Sequence, residues 1–267
     1  MEFPRLQLFE FNDAAWAPAA LRDTIVEALS RALDWGQVLR GLAPPFEQFM
    51  AASGAREILD LGAGAGGPAR ILVGEIRRAG HAPPRFVLTD LHPQRPAWEQ
   101  ARAAFPENID FEPEPVDATR IPEPLGRGRA RMIINALHHF PHAVAQGVFA
   151  DAVRCGAPIF VSEAFERTPM GFVSMWPAGL PALLSTPLFT SRDRWLKAWL
   201  VWATPVVVGA SLWDGFVSTL RVWSQAELEA MVAPFGDAYD WRYGTYAFPM
   251  GGKGYYFHGV PRSPTPA

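Results

Sequence analysis

The chain has 267 residues, room for one or two domains of roughly 150 residues and for a core that needs no covalent staples. A single cysteine, Cys155, excludes a disulfide framework and a multi-cysteine zinc site, and 24 Lys and Arg against 27 Asp and Glu lack the basic excess of a nucleic-acid binder. Apolar residues make up 49% of the chain and charged residues only 19%, below the usual ~25%, which excludes disorder and a long charged coiled coil. Met1-Glu2-Phe3-Pro4-Arg5 is not a basic segment leading into an apolar run, so the expectation is a cytoplasmic protein.

In chain order, Leu21, Ile25, Leu29 and Leu33 recur at helical spacing and predict an amphipathic helix over 13–39. A break at Pro44-Pro45 and a short helix over 46–52 complete an N-terminal helical cover, residues 1–55. From Glu57 short apolar runs alternate with helical stretches: strand 58–61, helix 69–79, strand 86–89, helix 97–105, strand 109–117, strand 132–135, helix 143–153 and strand 158–163. That alternation is the pattern of a parallel sheet covered on both faces. Residues 164–223 interrupt it, Ser224-Gln225-Ala226-Glu227 forms a capping box for one more helix, and strands 238–248 and 255–260 flank Gly251-Gly252-Lys253-Gly254 as a hairpin. Residues 56–267 thus read as one α/β domain carrying an insertion at 164–223. Arg127-Gly128-Arg129-Ala130-Arg131 reads as a solvated loop before a strand, and Cys155 as an interior residue.

The strand at 58–61 runs into Gly62-Ala63-Gly64-Ala65-Gly66-Gly67 and then a helix, a unit whose glycines let backbone N–H groups approach a ligand. Gly62, Gly64 and Gly67 even satisfy the spacing of a dinucleotide loop. Asp60 argues for a different ligand, because a carboxylate there would repel a pyrophosphate and would suit an ammonium group and a sulfonium. Asp60-Leu61-Gly62-Ala63-Gly64-Ala65-Gly66 resembles motif I of the class I S-adenosylmethionine (SAM)-dependent methyltransferases, and the likeness extends over roughly 56–163. It implies a seven-stranded Rossmann-like sheet ending in an antiparallel strand, with SAM as cofactor. It further implies that Asp60, Gly62, Gly64 and Gly66 hold the cofactor, that Asp90 takes the ribose hydroxyls, that Asp117 accepts from the adenine amine and that Asn135 lines the methionine end.

A general base helps methyl transfer only when the acceptor must lose a proton. His138 and His139, after the fourth strand, and Glu163, at the end of the fifth, are the candidates, with helix capping, packing and a surface-loop acid as their structural alternatives. No metal-ligand spacing surrounds them, so no metal is expected.

The apolar excess concentrates in the insertion, where 168–191 and 198–213 carry no charge and six tryptophans fall in or beside it. Pro and Gly break both runs below the ~18–20 residues of a membrane span. The segment therefore reads as a hydrophobic lid or homodimer contact, with peripheral membrane contact through 168–213 as the alternative. Tyr243, Tyr246 and Tyr255 are candidates either for its pocket or for sheet packing. The sequence thus points to a SAM-dependent methyltransferase acting on a small, largely apolar or aromatic molecule at O, N or C, with nucleic acid excluded. An NAD(P)-dependent oxidoreductase and a SAM-fold binding module acting through the insertion remain the alternatives.

Overall fold

The computed structural model describes residues 3–14, 16–190 and 192–262, with the backbone alone for Met250. Its elements begin with α1 (Ala19–Trp35), α2 (Ala43–Ser53), β1 (Glu57–Leu61), α3 (Gly67–Arg78), β2 (Arg85–Thr89), α4 (Arg95–Ala104) and β3 (Ile109–Phe111). There follow β4 (Arg129–Ile134), α5 (His142–Arg154), β5 (Ile159–Glu163), α6 (Pro169–Ser174), α7 (Trp176–Phe189), α8 (Arg194–Ala198), α9 (Val206–Arg221) and α10 (Gln225–Val232). The long strands β6 (Tyr239–Phe248) and β7 (Gly252–Pro261) close the chain.

The seven strands form one sheet in the order β3-β2-β1-β4-β5-β7-β6. The pairs β1–β2, β1–β4, β2–β3 and β4–β5 are parallel, and β5–β7 is antiparallel. Strands β1, β4 and β5 are buried almost end to end, as strands with both faces covered must be. Helix α3 buries Ala69, Leu72, Val73 and Ile76, one stripe at helical spacing. Helix α10 starts with the predicted capping box: Ser224 Oγ accepts from Glu227 N at 3.3 Å and Glu227 Oε2 accepts from Ser224 N at 2.8 Å.

The chain divides into two compact units. The sheet unit comprises the described residues of Leu39–Ala164, Ser224–Tyr246 and Gly254–Ala267. Residues 39–55 lie in it, not with α1 as the sequence suggested, because Phe46 of α2 stacks on Phe86 at 5.9 Å and meets Phe160 edge-on at 5.3 Å.

The helical unit comprises the described residues of Met1–Val38, Phe165–Trp223 and Ala247–Lys253. Leu21, Ile25, Ala28, Leu183, Val201, Val207 and Ala210 form its core. The segment before α1 is tied to α9: Asp214 accepts from the Phe11 and Asn12 N–H groups at 2.7 and 3.0 Å, and Arg221 pairs with Glu10 at 3.0 Å. No single helix among the described residues is long and apolar enough to cross a membrane; Arg194–Ala203 and Val206–Arg221 reach that composition only as a pair bent by 80°.

Several expectations need correction. The first helix covers 19–35, not 13–39, since Pro18 starts it and the chain before it follows α9. The third strand stops at Phe111 and does not reach Asp117, because Pro113 and Pro115 have no N–H to give a ladder. Arg129 and Arg131 are strand residues and no solvated loop: Arg131 is buried and pairs with Asp151 at 2.7 Å, and Arg129 pairs with Glu57 at 2.8 Å. Cys155 is exposed, at the turn where the chain leaves α5.

Gly66 caps the start of α3 with φ +78°, and a Cβ there would lie 2.8 Å from Leu88 Cδ1. Gly66→Ala is therefore expected to cost about 1–3 kcal/mol. Gly74→Ala, inside α3 where an added Cβ meets nothing within 4 Å, should stabilise by about 0.5–1 kcal/mol. Urea unfolding of the two variants checks the opposite signs.

Candidate active site

In an open sheet the strand order reverses where a crevice opens beyond the carboxyl ends, and here that point lies between β1 and β4. The chain leaves β1 through Gly62, Gly64 and Gly66, all at positive φ. Asp60, one residue before the end of β1, is 2% exposed and its Oδ2 has no hydrogen-bond partner. Burial, and secondarily the charge of Asp90, raise its pKa well above the ordinary carboxylate value.

Asp90 follows β2 and faces the same loop. Its Oδ2 accepts from Gly64 N at 2.9 Å and its Oδ1 accepts from His92 N at 2.9 Å. Thr89 Oγ1 donates to the Asp60 carbonyl at 2.8 Å, and the fully buried Trp98 donates from Nε1 to the Gly64 carbonyl at 2.7 Å. Two acids and three glycines predicted from the sequence thus meet at one loop. Trp98 and Thr89 belong to the same network and were not anticipated. A large indole donor on the helix after Asp90 was the available signal for Trp98.

Asp117 is exposed, and its Oδ1 accepts from Thr119 N and Oγ1 at 2.8 and 2.7 Å, so it shapes its own turn. The preceding residue ties that turn to the site, since Val116 N donates to the Asp90 carbonyl at 2.9 Å. Asn135 stands just past β4 with φ +55°, and its Oδ1 accepts from Ala164 N at 2.7 Å, linking the exits of β4 and β5.

His138, Glu163 and His139 lie together. Glu163 is no surface-loop acid: it is fully buried, its Oε1 accepts from the His138 backbone N–H at 3.0 Å, and its Oε2 lies 2.8 Å from His138 Nδ1. A carboxylate only accepts, so the Nδ1 facing it carries a proton. His139 packs its ring on that of His138, with centroids 4.1 Å apart. The arrangement resembles a base held by an orienting carboxylate. Tyr246 OH lies 3.4 Å from Ser162 Oγ, and Tyr255 is fully buried with its ring stacked on that of Tyr243.

Five parallel strands, an antiparallel β7 inserted between β5 and β6, and a glycine loop leaving β1 between two acids are now in place. The fold is that of the class I methyltransferases. No family model matches the chain, and no curated protein matches it.

Solved structures with a similar course of chain include magnesium protoporphyrin IX methyltransferase from Synechocystis with bound S-adenosylhomocysteine (12% identity, 94% of this chain, 91% of that one, TM-score 0.47). The plantazolicin methyltransferase BpumL, also with S-adenosylhomocysteine, covers 91% of this chain and 99% of its own at 11% identity and TM-score 0.49. A putative Zn-dependent alcohol dehydrogenase from Rhodobacter sphaeroides covers 88% and 98% at 13% identity and TM-score 0.46. Likeness of this degree carries no functional information. The site residues of the methyltransferase fold must supply it.

Asp60 gives a prediction with a definite sign. Its folded-state pKa lies above the unfolded value of about 3.9, so the folded protein holds this proton more tightly. Its contribution to stability is therefore greatest in acid and falls as pH rises from about 4 to the raised value, beyond which it is constant. Asp60→Asn should raise the melting temperature of the ligand-free protein at pH 7 relative to wild type, with the gain shrinking toward pH 4. Thermal unfolding across that range measures it.

Proposed function

We propose that the protein transfers a methyl group from SAM to a small, largely apolar or aromatic molecule. The observation that carries this reading is the buried, unpartnered Oδ2 of Asp60 beside the glycine loop. An uncompensated buried carboxylate is costly, and an ammonium-bearing ligand is the partner that removes the cost. A pyrophosphate would add to it.

When bound, SAM supplies an electrophilic methyl group on a sulfonium. Asp60 pairs with the cofactor's ammonium, and the Gly62–Gly66 backbone accommodates its close approach. Each Asp90 oxygen already accepts one backbone N–H and keeps a lone pair, so the two together can take the vicinal ribose hydroxyls. Asp117 accepts from the adenine amine, and Asn135 lines the methionine end while holding the exits of β4 and β5 in register. In this reading the His138 imidazole takes the acceptor's proton where the acceptor carries one, and Glu163 is the positioning residue that fixes its ring.

Titration calorimetry with S-adenosylhomocysteine and NADH tests the reading. S-adenosylhomocysteine should bind and NADH should not, and Asp90→Ala should weaken binding about 100-fold through two lost charge-assisted hydrogen bonds. The reverse preference would make the protein a nicotinamide enzyme. With labelled SAM and a panel of small phenols and aromatic amines, His138→Ala should lower turnover about 100-fold or more while leaving cofactor affinity within about twofold.

A second use of the helical unit has its own support. Trp195 is 83% exposed, and Trp199, Trp202, Leu188 and Phe189 are each more than half exposed. Tryptophan favours the bilayer interface, so we propose peripheral membrane contact through 168–213. Co-sedimentation with phosphatidylcholine vesicles, lost in Trp195→Ser with Trp199→Ser, is the expected result. A concentration-dependent dimer that the same pair of changes dissolves would assign the face to self-association.

A further inference from the structure

The helical unit contains a cavity of about 130 Å³, lined among others by Ile25, Leu29, Phe172, Trp176, Leu183 and Leu212. Cavities of about this size in protein cores hold a single benzene-sized ring. All its lining residues belong to this unit, which carries them on α1, α6, α7 and α9 and the segments beside them. Leu29 and Leu180 are exposed, so the space can be reached from solvent.

The polar lining residues narrow the guest further. Asp214 spends both carboxylate oxygens on the Phe11 and Asn12 N–H groups. Ser218 donates to Glu10 at 2.9 Å, and Thr219 donates to the Gly215 carbonyl at 2.8 Å. Ser211 Oγ and Asn12 Oδ1 are different: both are buried atoms and neither has a hydrogen-bond partner. A buried polar atom left in that state is costly, and a guest that pairs with it recovers part of the cost.

We infer that this cavity is a ligand site of the helical unit for a neutral, single-ring molecule bearing one hydroxyl, held by apolar packing and paired through Ser211 and Asn12. A charged guest is disfavoured, since the wall offers no unspent opposite charge. The site is defined within the helical unit alone, so the inference stands or falls separately from the cofactor chemistry of the sheet unit.

The test uses the full-length protein, with p-cresol and toluene as probes of nearly equal shape, followed by ligand-observed NMR titration. The p-cresol should bind about tenfold more tightly than toluene, the worth of one net hydrogen bond. Ser211→Ala or Asn12→Ala should cut that preference at least threefold. Gly179→Leu should fill the space, because a Cβ at Gly179 meets nothing within 4 Å and the residue lines the cavity. That change should weaken p-cresol at least tenfold while the S-adenosylhomocysteine affinity, measured alongside, stays within twofold. If Gly179→Leu does not fold, the near-isosteric Ser211→Ala keeps the test open. No p-cresol binding at millimolar concentration, equal affinity for the two probes, a preference kept in both polar variants, or undiminished binding in folded Gly179→Leu would each overturn the inference.

Discussion

The organisation of the sheet unit depends on keeping one carboxylate, Asp60, inside the protein without a partner for its Oδ2. Removing a charged group from water costs several kcal/mol unless something compensates, and no described residue hydrogen-bonds this oxygen. The surrounding parts can be understood as holding this acid in place. Strand β1 is locked between β2 and β4, Thr89 anchors the Asp60 carbonyl, Asp90 holds the Gly64 N–H and Trp98 holds the Gly64 carbonyl. The acid and the glycine loop are thereby held in a fixed relation by contacts within the sheet unit itself.

The second organising contact lies across β4 and β5. Glu163 takes both the backbone N–H and the ring N–H of His138, so one buried carboxylate sets the position and the tautomer of the imidazole together. Asn135 makes a matching link from its side chain to Ala164. These two bridges hold the strand exits in a fixed relation. The helical unit is built on different physics: a core of aliphatic side chains, ion pairs such as that of buried Lys197 with half-buried Glu27 at 2.7 Å, and a large apolar surface left in solvent.

Much of the site was legible in the chain itself. Asp60, the three glycines and Asp90 sit at ends of apolar runs, where strand periodicity places them without reference to the rest of the molecule. The order of those runs also indicated a parallel sheet, and the capping box at Ser224 announced its own helix. Local signals failed where a distant partner decided the outcome. Arg131 looks like a solvated arginine until Asp151, from a helix later in the chain, is brought against it. Glu163 and His138 are 25 residues apart and become a pair only when β4 and β5 align.

The sequence by itself determined the alternation of elements, the glycine loop and the acids at the ends of the first two strands, because each depends on spacing within its own strand or turn. Which histidine is held by a buried carboxylate, which arginine is buried and which polar atoms go unpaired were decided by the tertiary structure. Those outcomes are set by desolvation and by contacts between segments far apart in the chain, and no local pattern encodes either. The low charge of the chain shows the same division. Its concentration in 168–213 can be read from the sequence. Only the packing shows that part of this segment encloses a cavity while Trp195 and its neighbours remain on the surface.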